Sequence, residues 1–285
     1  MPDSYFSQHN RRLLAHLHQV VRDRSPGFAS AGHFFVSHYI QQELSQWGQV
    51  EPYSFSAQGR QHTNWVLNLP GTSPQPPPIV IGAHYDSVPG CPGADDNGTG
   101  IAVLLELARA LQAFPARAPV RLVAFDLEEY GLVGSRAYAQ YLQGRGEPLG
   151  LMLSLEMLGY CCHNPQSQRY PSAALQTIYP NRGDFIALIG QWHTIPAMTR
   201  LWWGFRAAGV RCQWLPVVNR GRIVPDTRRS DHAPFWDLGY PAVMVTDTAD
   251  LRNPHYHQPT DRLETLDLDF LTRVCQGLIR GIRWL

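Results

Sequence analysis

Residues 82 to 100, GAHYDSVPGCPGADDNGTG, place one imidazole and three carboxylates, His84, Asp86, Asp95 and Asp96, directly after the apolar run PPIVI. Asp, Asn and Gly are ordinary turn residues, and a single histidine among them is more often inert than a ligand. The pattern recurs along the chain, however. Glu128 and Glu129 follow VRLVAFDL, Glu156 follows LMLSL, and ADLRNPHYHQPTD follows PAVMVTDT. Imidazole nitrogen and carboxylate oxygen are donors that zinc prefers, and a hydrolytic site keeps one coordination position open for water. Two zinc ions roughly 3.5 to 4 Å apart can share a bridging carboxylate and a hydroxide, one polarising a scissile carbonyl while both stabilise the oxyanion. Such a site needs about five protein ligands and a further carboxylate as general base. The chain supplies that inventory.

The elements that must position these groups alternate. Helical periodicity covers residues 9 to 22 and 31 to 47, then 99 to 113, 131 to 143, 196 to 208 and 267 to 284. Short apolar segments predict strands at Trp65 to Leu69, Ile79 to Ala83, Val120 to Asp126, Leu151 to Glu156, Phe185 to Gly190, Val210 to Pro216 and Ala242 to Asp247. This order predicts an α/β fold, a three-layer α/β/α sandwich around a mixed, mostly parallel sheet. One domain over 1–285 is expected, with the helices of 1–48 packed on it; GTSPQPPP reads as a connector between strands. In open α/β sheets ligands bind outside the carboxyl ends of the strands. Four strands here deliver metal-type ligands at those ends.

Composition narrows the partners. With 24 basic against 23 acidic residues in 285, the formal charge is +1, so no electrostatic footprint for nucleic acid or an anionic membrane is expected. No run approaches the roughly 18 apolar residues of a membrane span. The five cysteines, Cys91, Cys161, Cys162, Cys212 and Cys275, are odd in number and lack paired spacing, which supports neither a disulfide framework nor a thiolate zinc site. The N-terminal NRRLLAHLHQVVRDR has a short apolar stretch broken by His16, His18 and Gln19, and reads as an amphipathic helix rather than an export signal. A cytoplasmic protein is expected.

HYDS, GADDNGTG, FDLEEYGLVGS, SLEMLGY, SDHAPFW and PHYHQPTD occur in one order and together cover residues 80 to 265. In this the chain resembles the aminopeptidase Y-like family of co-catalytic di-zinc exopeptidases. The resemblance implies the zinc-dependent exopeptidase fold and two zinc ions per chain. It also implies roles: His84 and Glu156 on one metal, Glu129 and His257 on the other, Asp96 bridging both, and Asp95 a neighbour. Glu128 becomes the general base, Asp86 the carboxylate that orients His84, and Tyr256 a hydrogen-bond donor to the tetrahedral intermediate. One position departs from the family's commonest pattern: Glu156 stands where Asp is usual, one methylene longer, so the weaker site is expected there.

Plainer readings compete for several residues. Glu128 and Glu129 alone fit a solvated helix N-terminus, where the dipole favours carboxylates; the preceding strand and the following YGLVGS favour the site. His255 and His257 would share a face of extended backbone, but only His257 fits the motif. Ser230, Asp231 and His232 do not make a serine hydrolase without a G-x-S-x-G elbow, and are expected to line the metal site. Cys91 in its loop reads as inert. Trp192, Trp202, Trp203 and Trp214 are expected mostly in the core, one or two walling a pocket. NRGRIVPDTRRSDH reads as a solvated loop, with a substrate-carboxylate clamp as its alternative.

The expected function is a zinc aminopeptidase acting on peptide or aminoacyl substrates, with a metal-bridging water as nucleophile. The alternative is a glutaminyl-peptide cyclotransferase with a single zinc, although DDNGTG and HYHQPTD are more peptidase-like. A carboxypeptidase or a catalytically silent metal-binding module ranks below both.

Overall fold

Strands rich in Val, Ile, Leu and Ala on successive positions have no face to give to water and must be covered on both sides. The computed structural model describes residues 2–73 and 76–285; Met1, and Pro74 and Gln75 of the predicted connector, lie outside the described residues. Its strands are β1 (Val50–Ala57), β2 (Arg60–Leu69), β3 (Ile79–His84), β4 (Val120–Phe125), β5 (Leu151–Glu156), β6 (Phe185–Gln191), β7 (Arg211–Val217) and β8 (Ala242–Thr246). They form one eight-stranded sheet in the order β1-β2-β4-β3-β5-β8-β6-β7. Pairs β3–β4, β3–β5, β5–β8 and β6–β7 are parallel, and β1–β2, β2–β4 and β6–β8 antiparallel, so the sheet is mixed.

The helices are α1 (Pro2–Val20), α2 (Ser30–Ser45), α3 (Gly100–Ala113), α4 (Val133–Gly144), α5 (Ala173–Ile178), α6 (Ile195–Ala207), α7 (His232–Asp237) and α8 (Leu268–Ile282). Side chains alternate across the sheet. Ile79, Ile81 and Ala83 of β3 pack with Leu17 of α1, Ile40 of α2, Leu104 of α3, Leu201 of α6 and Leu278 of α8. Val80 between them packs on the other face with Tyr138 and Leu142 of α4 and Phe235 and Trp236 of α7. The three-layer α/β/α sandwich follows. On the first face α6 and α8 approach closely at glycines: a Cβ on Gly204 would lie 2.5 Å from the Gly277 carbonyl oxygen. Among the described residues no helix is long and apolar enough to cross a membrane.

Helices α5 and α7 stand where no helix is predicted, and two further features differ. The sequence predicts no strand at 50–57 and starts the next at Trp65, whereas β1 and β2 form a hairpin in which Val50 faces Leu67 and Ala57 faces Arg60. Its tip, Gln58 and Gly59, has φ of 50° and 73°, the left-handed pair of a tight hairpin turn, without the Asn-Gly or Asp-Gly that flags such turns. The tryptophans are less buried than expected: Trp192 and Trp203 are 66% and 54% exposed, and Trp202 is partly buried against the core.

Candidate metal centre

Parallel register brings the strand ends level. His84, the last residue of β3, pairs with Phe125, and Glu156, the last of β5, pairs with Thr246. The chain leaves β3 through Asp86 and enters a distorted turn at Ala94–Thr99 that carries Asp95 and Asp96 into α3. The Asp96–Asn97 peptide bond is cis. Glu128 and Glu129 follow β4, and His257 arrives from the loop beyond β8 with φ of 57°.

These residues converge. His84 Nε2 lies 3.3 Å from Asp96 Oδ1 and 3.6 Å from Glu156 Oε2. His257 Nε2 lies 3.1 Å from Asp96 Oδ2 and 3.1 Å from Glu129 Oε2. Asp96 thus turns one oxygen to each of two imidazoles, each of which faces a further glutamate. Metal-type ligand atoms of His84, Glu128 and Glu156, and of His84, Asp96 and Glu129, lie within 4.8 Å of one another. Asp96 Oδ1, Glu129 Oε1 and His257 Nε2 are buried and make no hydrogen bond among the described residues. Buried polar atoms left so are costly unless a charge or a ligand satisfies them. The donor set, imidazoles and carboxylates with orphaned buried atoms, fits divalent zinc.

The protonation pattern has the same origin. Burial opposes ionisation of His84, but the carboxylates of Glu128 and Glu156 and contacts to Asp86 and Asp96 hold it well above its usual range. Burial likewise opposes His257, yet Asp96 and Glu129 raise it to about 10. Burial would raise Asp96; the two imidazoles instead pull it below the carboxylate range. Burial, and then the charge of Asp96, push Glu129 up to about 7. Glu128 rises well above its ordinary value through burial, against the attraction of His84 and with repulsion from Glu156 and Glu129. Burial raises Glu156 in the same way.

Asp86 does more than face His84, whose Nδ1 is 3.4 Å away. Fully buried, it accepts hydrogen bonds from the backbone N–H groups of Glu128 at 3.0 Å and Glu129 at 3.1 Å, one on each oxygen. Asp95 turns from the centre, accepting from Gly159 N and Asn253 Nδ2 at 2.9 and 2.8 Å. Tyr256 stacks on the His257 ring at 3.8 Å between centroids, and its hydroxyl accepts from Arg229 Nη2 at 3.1 Å. His255 is held elsewhere, by Thr260.

Ser230, Asp231 and His232 are no triad. Ser230 Oγ donates to Glu156 Oε2 at 2.7 Å, while His232 Nε2 faces the Thr227 carbonyl at 2.8 Å. Asp231 is fully buried, and burial, with repulsion from Glu156 and Asp86 working against His84, pushes it up to about 7. The Cys91 thiol donates to the Gln258 carbonyl, and burial pushes it up to about 12, too high for a nucleophile. Of the arginine loop, Arg220, Arg222 and Arg228 engage Asp237, and Arg229 bonds Asp250 at 2.8 Å beside Tyr256.

Supports that sequence reasoning passed over hold the turn from behind. Arg24, between α1 and α2 and fully buried, donates to the carbonyls of Tyr85, Pro92, Gly93 and Asp96. Asp261 accepts from the N–H groups of Asp95 and Asp96 at 3.0 and 3.1 Å. Gly93 sits at φ 60°, and a Cβ there would come within 2.2 Å of the Asp96 carbonyl oxygen. Asp261 closes the quoted PHYHQPTD and was legible as an acidic residue there; nothing local marks Arg24. Beside the centre an open cleft runs from Glu156 and Tyr256 to the apolar surfaces of Tyr179, Ile189, Trp214 and Met244.

The model of Peptidase family M28 matches residues 64–184 and 214–280. Uncharacterized protein YfbL of Escherichia coli (strain K12) is 40% identical over 218 residues, 71% of this chain and 65% of that protein. Aminopeptidase YwaD of Bacillus subtilis (strain 168) is 29% identical over 212 residues, 72% of this chain and 40% of its own length. The chain therefore spans less than two thirds of both curated relatives. In fold, the LapA aminopeptidase of Legionella pneumophila superposes with a TM-score of 0.74 at 19% identity, covering 96% of this chain and 70% of that one.

Proposed function

Because the chain belongs to peptidase family M28, we propose that it is a zinc aminopeptidase holding two ions, His84 and Glu156 on one, Glu129 and His257 on the other, and Asp96 between them. The observation that carries this reading is the division of Asp96, Oδ1 toward His84 at 3.3 Å and Oδ2 toward His257 at 3.1 Å. A carboxylate that gives each oxygen to a different imidazole suits a bridge. Zinc, when bound, supplies Lewis acidity toward a peptide carbonyl and makes water acidic enough to ionise near neutral pH.

The chain's own groups supply the rest. Glu128 takes the proton of the attacking water and delivers it to the leaving amine, a task suited to a carboxyl whose buried surroundings hold protons tightly. Asp86 fixes the backbone that carries Glu128 and Glu129. Tyr256 presents its hydroxyl at the rim, with Arg229 donating to its oxygen and leaving its proton free for the tetrahedral intermediate. Glu128 and Glu156 face the site and are placed to receive the free amine of a substrate. The cleft with Trp214, Ile189 and Met244 takes an apolar first side chain, excluding water from it.

The test is a panel of aminoacyl anilides, free-amine peptides, their N-acetylated versions and N-terminal glutaminyl peptides, each with and without added zinc. Cleavage of anilides and free-amine peptides, with acetylated ones ignored, is the expected result. Ring closure of N-terminal glutamine without peptide cleavage would make the protein a cyclotransferase. Release of C-terminal residues from acetylated peptides would make it a carboxypeptidase.

A further inference from the structure

Among the described residues, a cluster outside this centre brings a cysteine, a histidine and a carboxylate together. Ligand atoms of Cys161, His163 and Asp267 lie within 4.8 Å of one another. Cys161 Sγ is 3.8 Å from His163 Nε2. With zinc–sulfur and zinc–nitrogen bonds of about 2.3 and 2.0 Å, two tetrahedral ligands of these kinds stand about 3.5 Å apart, so a few tenths of an ångström of side-chain movement closes the pair on one ion.

A carboxylate stands behind the histidine. His163, whose ring is 74% exposed, turns its other nitrogen, Nδ1, toward Asp184 Oδ2 at 3.5 Å, a separation that a small ring rotation closes to the carboxylate–histidine hydrogen bond usual behind a ligand. Asp184 is 7% exposed, is itself held by Arg211 Nη1 at 3.0 Å, and keeps Oδ1 buried with no hydrogen bond among the described residues. Asp267 caps α8 with Oδ1, which accepts from Phe270 N at 2.8 Å and leaves the second oxygen for a ligand. The backbone is tied down as well. Cys162 N donates to the Gly183 carbonyl at 2.8 Å, and Asp267 N to the Gly159 carbonyl at 2.9 Å.

We propose that Cys161, His163 and Asp267 form a further binding site, separate from the catalytic centre, for a transition-metal ion of the zinc type, with water completing its coordination. Spacing among the cysteines alone hid it, because only one is used and the carboxylate comes from a helix more than a hundred residues away in sequence. The selectivity follows from the donors. Arg182, Arg211 and Arg273 line the same cleft as Asp184, Asp267 and Asp269, so the local charges balance and no general attraction for cations remains. Affinity must come from coordination by sulfur and imidazole, which favours zinc and cobalt over magnesium and calcium.

Cobalt(II) added to the full-length protein provides the test. None of His84, Asp96, Glu129, Glu156 and His257 has a thiol, so a near-ultraviolet cobalt–thiolate band reports a cysteine site whatever the catalytic centre does. One equivalent of that band is expected. It should survive Cys162→Ser and His84→Ala, vanish in Cys161→Ser, and need roughly 10- to 100-fold more cobalt in Asp184→Asn, as loss of a carboxylate behind a ligating histidine does. Absence of the band in the wild-type protein, or its persistence in Cys161→Ser, overturns the site. Absence of peptidase activity with the band intact overturns only the peptidase reading.

Discussion

Replacing Asp86 by Asn changes no volume and leaves the fold's apolar core untouched, yet it should cripple the centre. Each oxygen of Asp86 accepts one backbone N–H, from Glu128 at 3.0 Å and from Glu129 at 3.1 Å, and Oδ1 also faces His84 Nδ1 at 3.4 Å. An amide keeps one acceptor. If it stays on the Glu128 and His84 side, the amide NH2 meets the Glu129 N–H, donor against donor, in a fully buried place. One charge-assisted bond of about 1.5–3 kcal/mol is lost and one buried N–H is left unpartnered. Even the lower figure corresponds to about tenfold in an equilibrium constant, and a carboxylate behind a ligating histidine typically carries 10- to 100-fold in metal affinity. Zinc affinity of Asp86→Asn, measured by competition with a chromophoric chelator, should therefore fall about 10- to 100-fold, with turnover at saturating zinc also reduced because the Glu129 backbone, next to the general base Glu128, loses its anchor. Wild-type affinity together with wild-type turnover would show that these three contacts do not position the centre.

Glu128→Gln should keep its metal while turnover drops about 100-fold or more, the usual effect of losing a general base; retained turnover at wild-type metal content excludes the role. Glu156→Ala should weaken one of two zinc-binding steps in calorimetry, and unchanged affinities for both would remove Glu156 from the ligand set. For the metal-free protein, His257 is raised to about 10 and Glu129 to about 7, so their contribution to stability is complete below the unfolded values of about 6.5 and 4.5 and is lost as pH rises through the folded ones. Melting temperature of the metal-free protein should fall between pH 6 and 10, and zinc should tighten over the same range as its protons become easier to displace; a flat profile in both would contradict the proton assignment. Trp214→Ala should raise KM for substrates with a large apolar first residue and spare those with alanine, and an equal effect on both would take Trp214 out of the substrate cleft.

The parts of this arrangement legible in sequence share a physical reason. IVIGAH and LMLSLE are buried on both faces, so they read as unbroken apolar runs, and the polar residue that ends each run stands where the sheet stops and the crevice begins. His84 and Glu156 are visible for that reason. The hairpin of β1 and β2 lies at the sheet's edge, where VEPYSFSA mixes exposed and half-buried positions and Gln58–Gly59 carries only half the usual turn signal. Arg24 is invisible for another reason: in VRDRSPG it looks like one more solvated arginine, and only the return of the chain from α1 to the Asp96 turn makes it a buried clamp on four carbonyls of the metal-site backbone. Trp192 and Trp203 fail in the opposite direction, since a large aromatic side chain says how much surface it would hide and nothing about whether a neighbour comes to cover it.

The centre's charge balance gives the strongest general argument for its cations. Asp86, Asp96, Glu128, Glu129, Glu156 and Asp231 are drawn to two imidazoles, His84 and His257. Fully ionised in a buried place, these carboxylates would repel one another beyond what two imidazolium groups can offset. The raised Glu128, Glu129, Glu156 and Asp231 and the raised His84 and His257 show how the isolated chain resolves the conflict, by binding protons. A group of side chains that binds protons this tightly is ready to exchange them for divalent ions, each of which offers twice the charge at the same place. Within the centre Asp96 is held below its ordinary range, with an imidazole facing each of its oxygens and a glutamate beyond each imidazole. That makes it the residue whose two oxygens are already ionised and already divided, which is the condition a bridge between two metals has to meet.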